Sequence, residues 1–190
     1  MLWPTRGPLM TVVQRRRLWT YADYCRIPAD RLRHEIIDGR HFVNPSPELP
    51  HQRTSKWLQL QLLQRIELEG HGEVFNAPID VHLGRRTIVQ PDLVVVLSRT
   101  ARIVGRRKVS GVPDLLIEIL SPSNRRYDRV VKKARYARAG VREYWIVDPE
   151  ERLVEQFVLR ARSYVLVATC RESVRLAVLR SVTIDLTEVW

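Results

Sequence analysis

Apolar residues recur along this chain with two different periods, and the switches between them outline an α/β fold. Over residues 52–69, Leu58, Leu62, Leu63 and Ile66 fall on one face at helical spacing, which predicts a helix ended by Gly70 and Gly72. Thr20 is placed to cap a short helix that stops near Pro28. Ile79-Asp80-Val81-His82-Leu83 alternates with period two, as a half-buried strand does, and Gly84 turns it. Residues 88–97, 115–120 and 143–147 are nearly continuous apolar runs, the pattern of central strands covered on both faces. Asp38-Gly39 between apolar runs predicts a hairpin over 34–43. Residues 98–111 are polar and basic and read as a surface connection. A helix is predicted over 127–139, closed by Gly140, then hairpin strands near 153–159 and 164–168 and a tail through 182–186. The expectation is an α/β core with β additions.

Two charges interrupt the apolar runs. Asp92 opens Pro91-Asp92-Leu93-Val94-Val95-Val96-Leu97, and Glu118 sits within Leu115-Leu116-Ile117-Glu118-Ile119-Leu120. A buried charge is costly unless it is paired or binds a cation. If the two strands are neighbours, both carboxylates reach one hard cation, Mg²⁺ or Mn²⁺. Lys132, on the next helix, would then screen phosphoryl charge or orient a water, and Glu35 would add an outer or second-metal contact. Each residue alone has a plainer reading. Asp92 after Pro91 can start a strand, Glu118 can pair with an arginine, Lys132-Lys133 can be a solvated helix face, and Glu35 can be an ordinary hairpin residue. His51 is either a substrate-side contact or a helix-start hydrogen bonder; Tyr136, one helical turn beyond Lys132, either meets substrate or packs.

Bulk composition narrows the partners. The chain has 190 residues, one domain's length, and 45% hydrophobic residues suffice for a core. Residues 1–17 read as a disordered N-terminal extension, with a single domain over 18–190. A net charge of +11 and pI near 10.4 favour a polyanion, with nucleic acid ahead of a membrane surface. The charge comes from 28 Arg and four Lys, and heavy Arg use can equally reflect base composition. Arg125-Arg126, Arg85-Arg86 and Arg106-Arg107-Lys108 are either phosphate contacts or solvated surface; Arg125 and Arg126 are the substrate-binding candidates among them. Cys25 and Cys170 lie in no ligand spacing and read as reduced cysteines of a cytoplasmic protein. No apolar run is long enough for a membrane span.

Seven pieces then occur in a fixed order: Glu35-x-x-Asp38-Gly39; Pro45-x-Pro47 with His51; Gln90-Pro91-Asp92; Gly111-x-Pro113-Asp114-Leu115-x-Ile117-Glu118-Ile119-Leu120-Ser121-Pro122; Asp128-x-x-x-Lys132; Tyr136-Ala137-x-x-Gly140-Val141; and Glu143-Tyr144-Trp145-Ile146-Val147-Asp148. Over about residues 20–170 the chain resembles the Uma-type restriction endonuclease family, a branch of the PD-(D/E)xK nuclease superfamily. The resemblance implies a restriction-endonuclease-like fold, a central mixed β-sheet flanked by helices with extra β-hairpins. It implies Asp92 and Glu118 as metal ligands, Lys132 as catalytic lysine and Glu35 as a further acid. One departure stands out: the superfamily's lysine two residues after the second acid is Leu120 here, and Lys132 takes its place. The expected function is Mg²⁺- or Mn²⁺-dependent endonucleolytic hydrolysis of DNA, with a homodimer as the arrangement that would cut both strands. The rival is an inactive nucleic-acid-binding or protein-interaction module of the same fold.

Overall fold

The computed structural model describes residues 11–13, 18–28, 30 and 32–190. The strands in chain order are β1 (Thr11–Val13), β2 (Arg33–Ile37), β3 (Arg40–Asn44), β4 (Gly72–Asn76), β5 (Val81–Gly84), β6 (Thr87–Val89), β7 (Leu93–Leu97), β8 (Val109–Ser110), β9 (Leu115–Ile119), β10 (Glu143–Asp148), β11 (Leu153–Arg160), β12 (Ser163–Cys170), β13 (Ser173–Arg175) and β14 (Thr183–Asp185). The helices are α1 (Tyr21–Tyr24), α2 (Leu49–Leu62) and α3 (Lys133–Ala139). Of the expected extension over 1–17, the described residues include only Thr11–Val13, which pair with β3; the rest lies outside them.

Two six-stranded sheets carry the fold, in orders β1-β3-β2-β6-β5-β8 and β12-β11-β10-β9-β7-β4. The second is mixed, with β9 and β10 parallel and the other neighbours antiparallel. Its side chains alternate between two cores, as the strand period requires. Leu93, Val95, Ile117 and Trp145 face α2 and the C-terminal β13–β14 hairpin. Val94, Val96, Leu116 and Tyr144 face the first sheet and α3. Each fully buried aliphatic side chain contributes roughly 1.5–3 kcal/mol, so the sheet is clamped from both sides. That explains why its strands read as unbroken apolar runs.

The run over 88–97 is not one strand but two, β6 in the first sheet and β7 in the second. Pro91 has no N–H to give a ladder. The Gln90 backbone N–H is committed to Glu35 Oε1 at 2.7 Å. The chain therefore leaves one sheet and enters the other at Gln90-Pro91-Asp92, and Asp92 sits at the crossing. The other differences are smaller. Helix α2 starts at Leu49, with Pro50 in its first turn, where a missing N–H is harmless. It continues as a π-helical segment, Leu63–Glu67, and a second π-helical segment, Tyr127–Lys132, precedes α3. The Asp38-Gly39 turn forms as its sequence predicts, with positive φ at both residues. Among the described residues no helix is long and apolar enough to cross a membrane.

Candidate active site

Glu35, Asp92, Glu118 and Lys132 meet where the two sheets diverge. Strand β7 runs antiparallel to β9 with Leu93 opposite Ile117. Continuing that register by one residue sets Asp92 opposite Glu118, on the same face. Glu35 reaches the same place from β2 of the other sheet. Lys132 arrives from the π-helical segment, whose wider turn brings Asp128 and Lys132 onto one side. The Lys132 ammonium lies 3.0 Å from Glu118 Oε1, 3.1 Å from Glu35 Oε1 and 3.6 Å from Asp128 Oδ1. All four of these side chains are at most 3% exposed.

Each acid is held differently. Asp92 Oδ1 accepts from Arg33 Nη1 at 2.8 Å. Its Oδ2 accepts from the Ile119 backbone N–H at 2.8 Å and lies 3.0 Å from His51 Nε2. Arg33 also donates to the Gln90 carbonyl. Glu35 Oε2 accepts from Asn44 Nδ2 at 2.8 Å. Glu118 Oε1 takes both Lys132 and the Tyr136 hydroxyl, the latter at 2.6 Å. Asp128 is fully buried, and neither carboxylate oxygen accepts a hydrogen bond among the described residues.

These surroundings drive the titrations apart. Burial opposes the Asp92 charge, but His51 and Arg33 outweigh it and hold its pKa below the usual carboxylate range. Burial pushes Glu118 well above that range; Lys132 counters only in part, and Asp128, Asp92 and Glu35 push it further. Asp128 is pushed up to about 7, first by burial and then by Asp92 and Glu35 against the pull of Lys132. Burial disfavours the Lys132 ammonium, yet Glu118, Glu35 and Asp128 raise its pKa, so it stays charged at neutral pH. Four buried acids face two fixed cations, Arg33 and Lys132. Only if Glu118 and Asp128 gave up their protons would the acids exceed Arg33 and Lys132 by two charges, the charge of one divalent ion. Among the described residues no three His, Cys, Asp or Glu side chains form a ready cage. Mg²⁺ commonly uses one or two carboxylates and keeps its waters, and Asp92 with Glu118 on one cleft wall suits that habit.

The remaining candidates fall in three places. His51 and Tyr136 touch the acids themselves, Asp92 and Glu118 respectively. Arg125 is turned away, paired with Asp148 at 2.8 Å and Glu150 at 2.8 Å. Arg126 is exposed and lines a separate apolar groove of about 810 Å³ with Leu18, Phe42 and Val130. Lys133 points elsewhere, its ammonium 3.6 Å from the Phe157 ring centroid. Sequence reasoning missed Arg33, Asn44 and Asp128 as members of the cluster. Two signals were present: Arg33 shares the strand face of Glu35 at i−2, and Asp128 precedes Lys132 by four residues. Asn44 carried none.

Comparison with known proteins gives the following. A family model, "Uma2: Putative restriction endonuclease", matches residues 21–187. No curated protein matches the chain. The fold is similar to the crystal structure of a putative nuclease belonging to DUF820 from Anabaena variabilis ATCC 29413. The TM-score is 0.74 at 16% sequence identity, covering 90% of this chain and 97% of that one. A likeness at that identity speaks to the fold, which is mixed α/β and restriction-endonuclease-like.

Proposed function

We propose that this chain, which belongs to the Uma2 restriction endonuclease family, is a divalent-cation-dependent nuclease that hydrolyses phosphodiester bonds of DNA endonucleolytically. One observation carries the reading: Asp92 and Glu118 share a sheet face, with the Lys132 ammonium 3.0 Å from Glu118. The net charge of +11 supports a polyanionic substrate.

Asp92 and Glu118 would hold Mg²⁺ or Mn²⁺. The ion, when bound, supplies Lewis-acid polarisation of a phosphoryl oxygen. Arg33, His51 and the Ile119 N–H keep Asp92 ionised and fixed in orientation. The Tyr136 hydroxyl and Lys132 hold Glu118 Oε1, leaving Oε2 without a hydrogen bond among the described residues. The raised pKa of Lys132 makes it a poor proton acceptor. Its role is a fixed positive charge beside the phosphoryl group as negative charge builds there. Glu35, tethered by Asn44 and the Gln90 N–H, holds that ammonium in position.

The interaction-module reading has one observation on its side: Asp92 already has a full set of partners, including an arginine. Supercoiled-plasmid nicking separates the two. The wild-type chain should nick in Mg²⁺ or Mn²⁺ and stop in chelator, and Asp92→Ala should be inert. No nicking by folded wild-type protein in either ion would reject the nuclease reading.

A further inference from the structure

A second cleft of about 340 Å³ opens directly from the acids. Arg33, Pro47, His51 and Asp92 line both spaces, so whatever lies in one abuts what lies in the other. Its outer walls are the stretch of α2 from Gln52 to Gln59 and the corner at Asn76, Ala77 and Pro78. Gln52, Ser55 and Gln59 fall at i, i+3 and i+7 on α2, hence on one helix face.

The geometry points to a nucleobase subsite in this cleft, which takes one unpaired nucleotide of a DNA strand beside the scissile phosphate. The proposal rests on the nuclease reading above and names its substrate class: single-stranded or locally opened DNA. The lining chemistry carries it. A phosphate subsite needs free cations. Arg33, the one guanidinium here, is committed to Asp92 and to the Gln90 carbonyl. Lys56 is exposed, its ammonium 4.7 Å from the Trp57 ring centroid, and suits a backbone phosphate at the mouth. Beyond His51 and Asp92 at the shared end, the other polar groups are neutral amides and two hydroxyls, Ser46 and Ser55, the groups that read base edges. Two of the amides are already oriented. Gln59 Nε2 donates to Asn76 Oδ1 at 3.0 Å, and Asn76 Nδ2 donates to the Ala77 carbonyl at 3.1 Å. That arrangement leaves Gln59 Oε1 as an acceptor and one N–H on each amide as a donor. Pro47 and Pro78 add apolar surface for a ring. A base inside a duplex presents its pairing edge to its partner, so a base seated among these amides has left the stack.

The test is binding of the full-length chain by fluorescence anisotropy in Ca²⁺ at one fixed salt concentration. Three labelled 12-mers are compared: a single strand, the blunt duplex of the same sequence, and an abasic strand with the same phosphates. The single strand should bind roughly tenfold more tightly than either of the others, the scale of one or two base contacts. Gln59→Ala combined with Asn76→Ala should bring the single strand down to the abasic level. Ser55→Trp, which fills the cleft from an accessible helix face, should do the same and guards against a folding defect in the double variant. Equal affinity for the normal and abasic strands, tighter binding of the duplex, or unchanged preference in both variants would overturn the subsite and leave the nuclease reading standing. No binding to any of the three would overturn both.

Discussion

The central sheet buries Glu143 on one face and Glu118 on the other, and the two carboxylates are satisfied differently. On the α2 side, Glu143 is fully buried. Its Oε1 accepts from Trp145 Nε1 at 2.7 Å and Gln156 Nε2 at 2.6 Å, and its Oε2 accepts from the Val178 N–H at 2.8 Å. Every donor is neutral, both oxygens are filled, and the carboxylate ties the C-terminal segment to the sheet. Asp114, just before β9, also has both oxygens filled, by the Leu97 N–H and Thr100 on one and by the charged Arg99 on the other. On the other side, Glu118 receives Lys132 and Tyr136 on a single oxygen, and Asp128 receives no hydrogen bond. A structural acid is satisfied on both oxygens. Around Glu118 and Asp128, acids exceed the adjacent cations and oxygens are left open, which costs stability that a proton or a bound ion would recover.

The largest expected effect is on turnover. Asp92→Ala or Glu118→Ala should lower plasmid nicking by about a thousandfold or more, the kinetic equivalent of ~4 kcal/mol. Next is the lysine. Lys132→Met should reduce the rate by about a hundredfold to a thousandfold, whereas Lys133→Met, over Phe157, should stay within about twofold, as a solvated helix position does. Equal losses at the two lysines would remove the special status of Lys132. Glu143→Ala should do the reverse of the active-site variants. Its cost is ~3 kcal/mol of unfolding free energy, because three buried donors lose their acceptor, with nicking per folded molecule preserved. A stable Glu143→Ala with no activity would erase the distinction between the faces.

The smallest effect is a pH dependence, and its sign is fixed. Asp128 has a folded pKa of about 7 against an ordinary 3.8, so the folded chain binds the extra proton. The stability this group contributes is full below about pH 4 and is lost as pH rises to about 7, at about 1.4 kcal/mol per pH unit for one proton. Asp92 runs the other way: its depressed pKa contributes stability that is lost as pH falls below its ordinary value. Urea midpoints at pH 5 and 7.5 should therefore show a fall in wild-type stability, shared by Asp128 and Glu118, that Asp128→Asn reduces. An unchanged slope in that variant would show that Asp128 does not carry the excess charge.

Which parts of this were legible in the sequence follows from the range of the interactions. The central strands β7, β9 and β10 were legible because burial on both faces writes continuous apolar runs, whereas the edge strand β4, with one buried position, was not predicted. Asp92 and Glu118 were visible because they break those runs. Glu143 and Asp114 sit in similar settings, and the sequence does not separate them from the other pair. What separates them is remote: Gln156 and Val178 close over Glu143 from 13 and 35 positions away. The switch of sheets at Pro91 was hidden because the runs on either side look alike. Strand β13 is three residues long, with one buried position, too short for a period to register. Asn44 closes the end of a hairpin strand, and nothing local marks it as the tether of Glu35.

Whether the Glu118 face holds a cation is tested most directly by calorimetric titration with Mn²⁺ at pH 7.5. The prediction is one ion per chain in the wild type, lost in Asp92→Asn and in Glu118→Gln and retained in Glu143→Gln. Binding that survives both site variants, or a folded wild type that binds no ion, would contradict it.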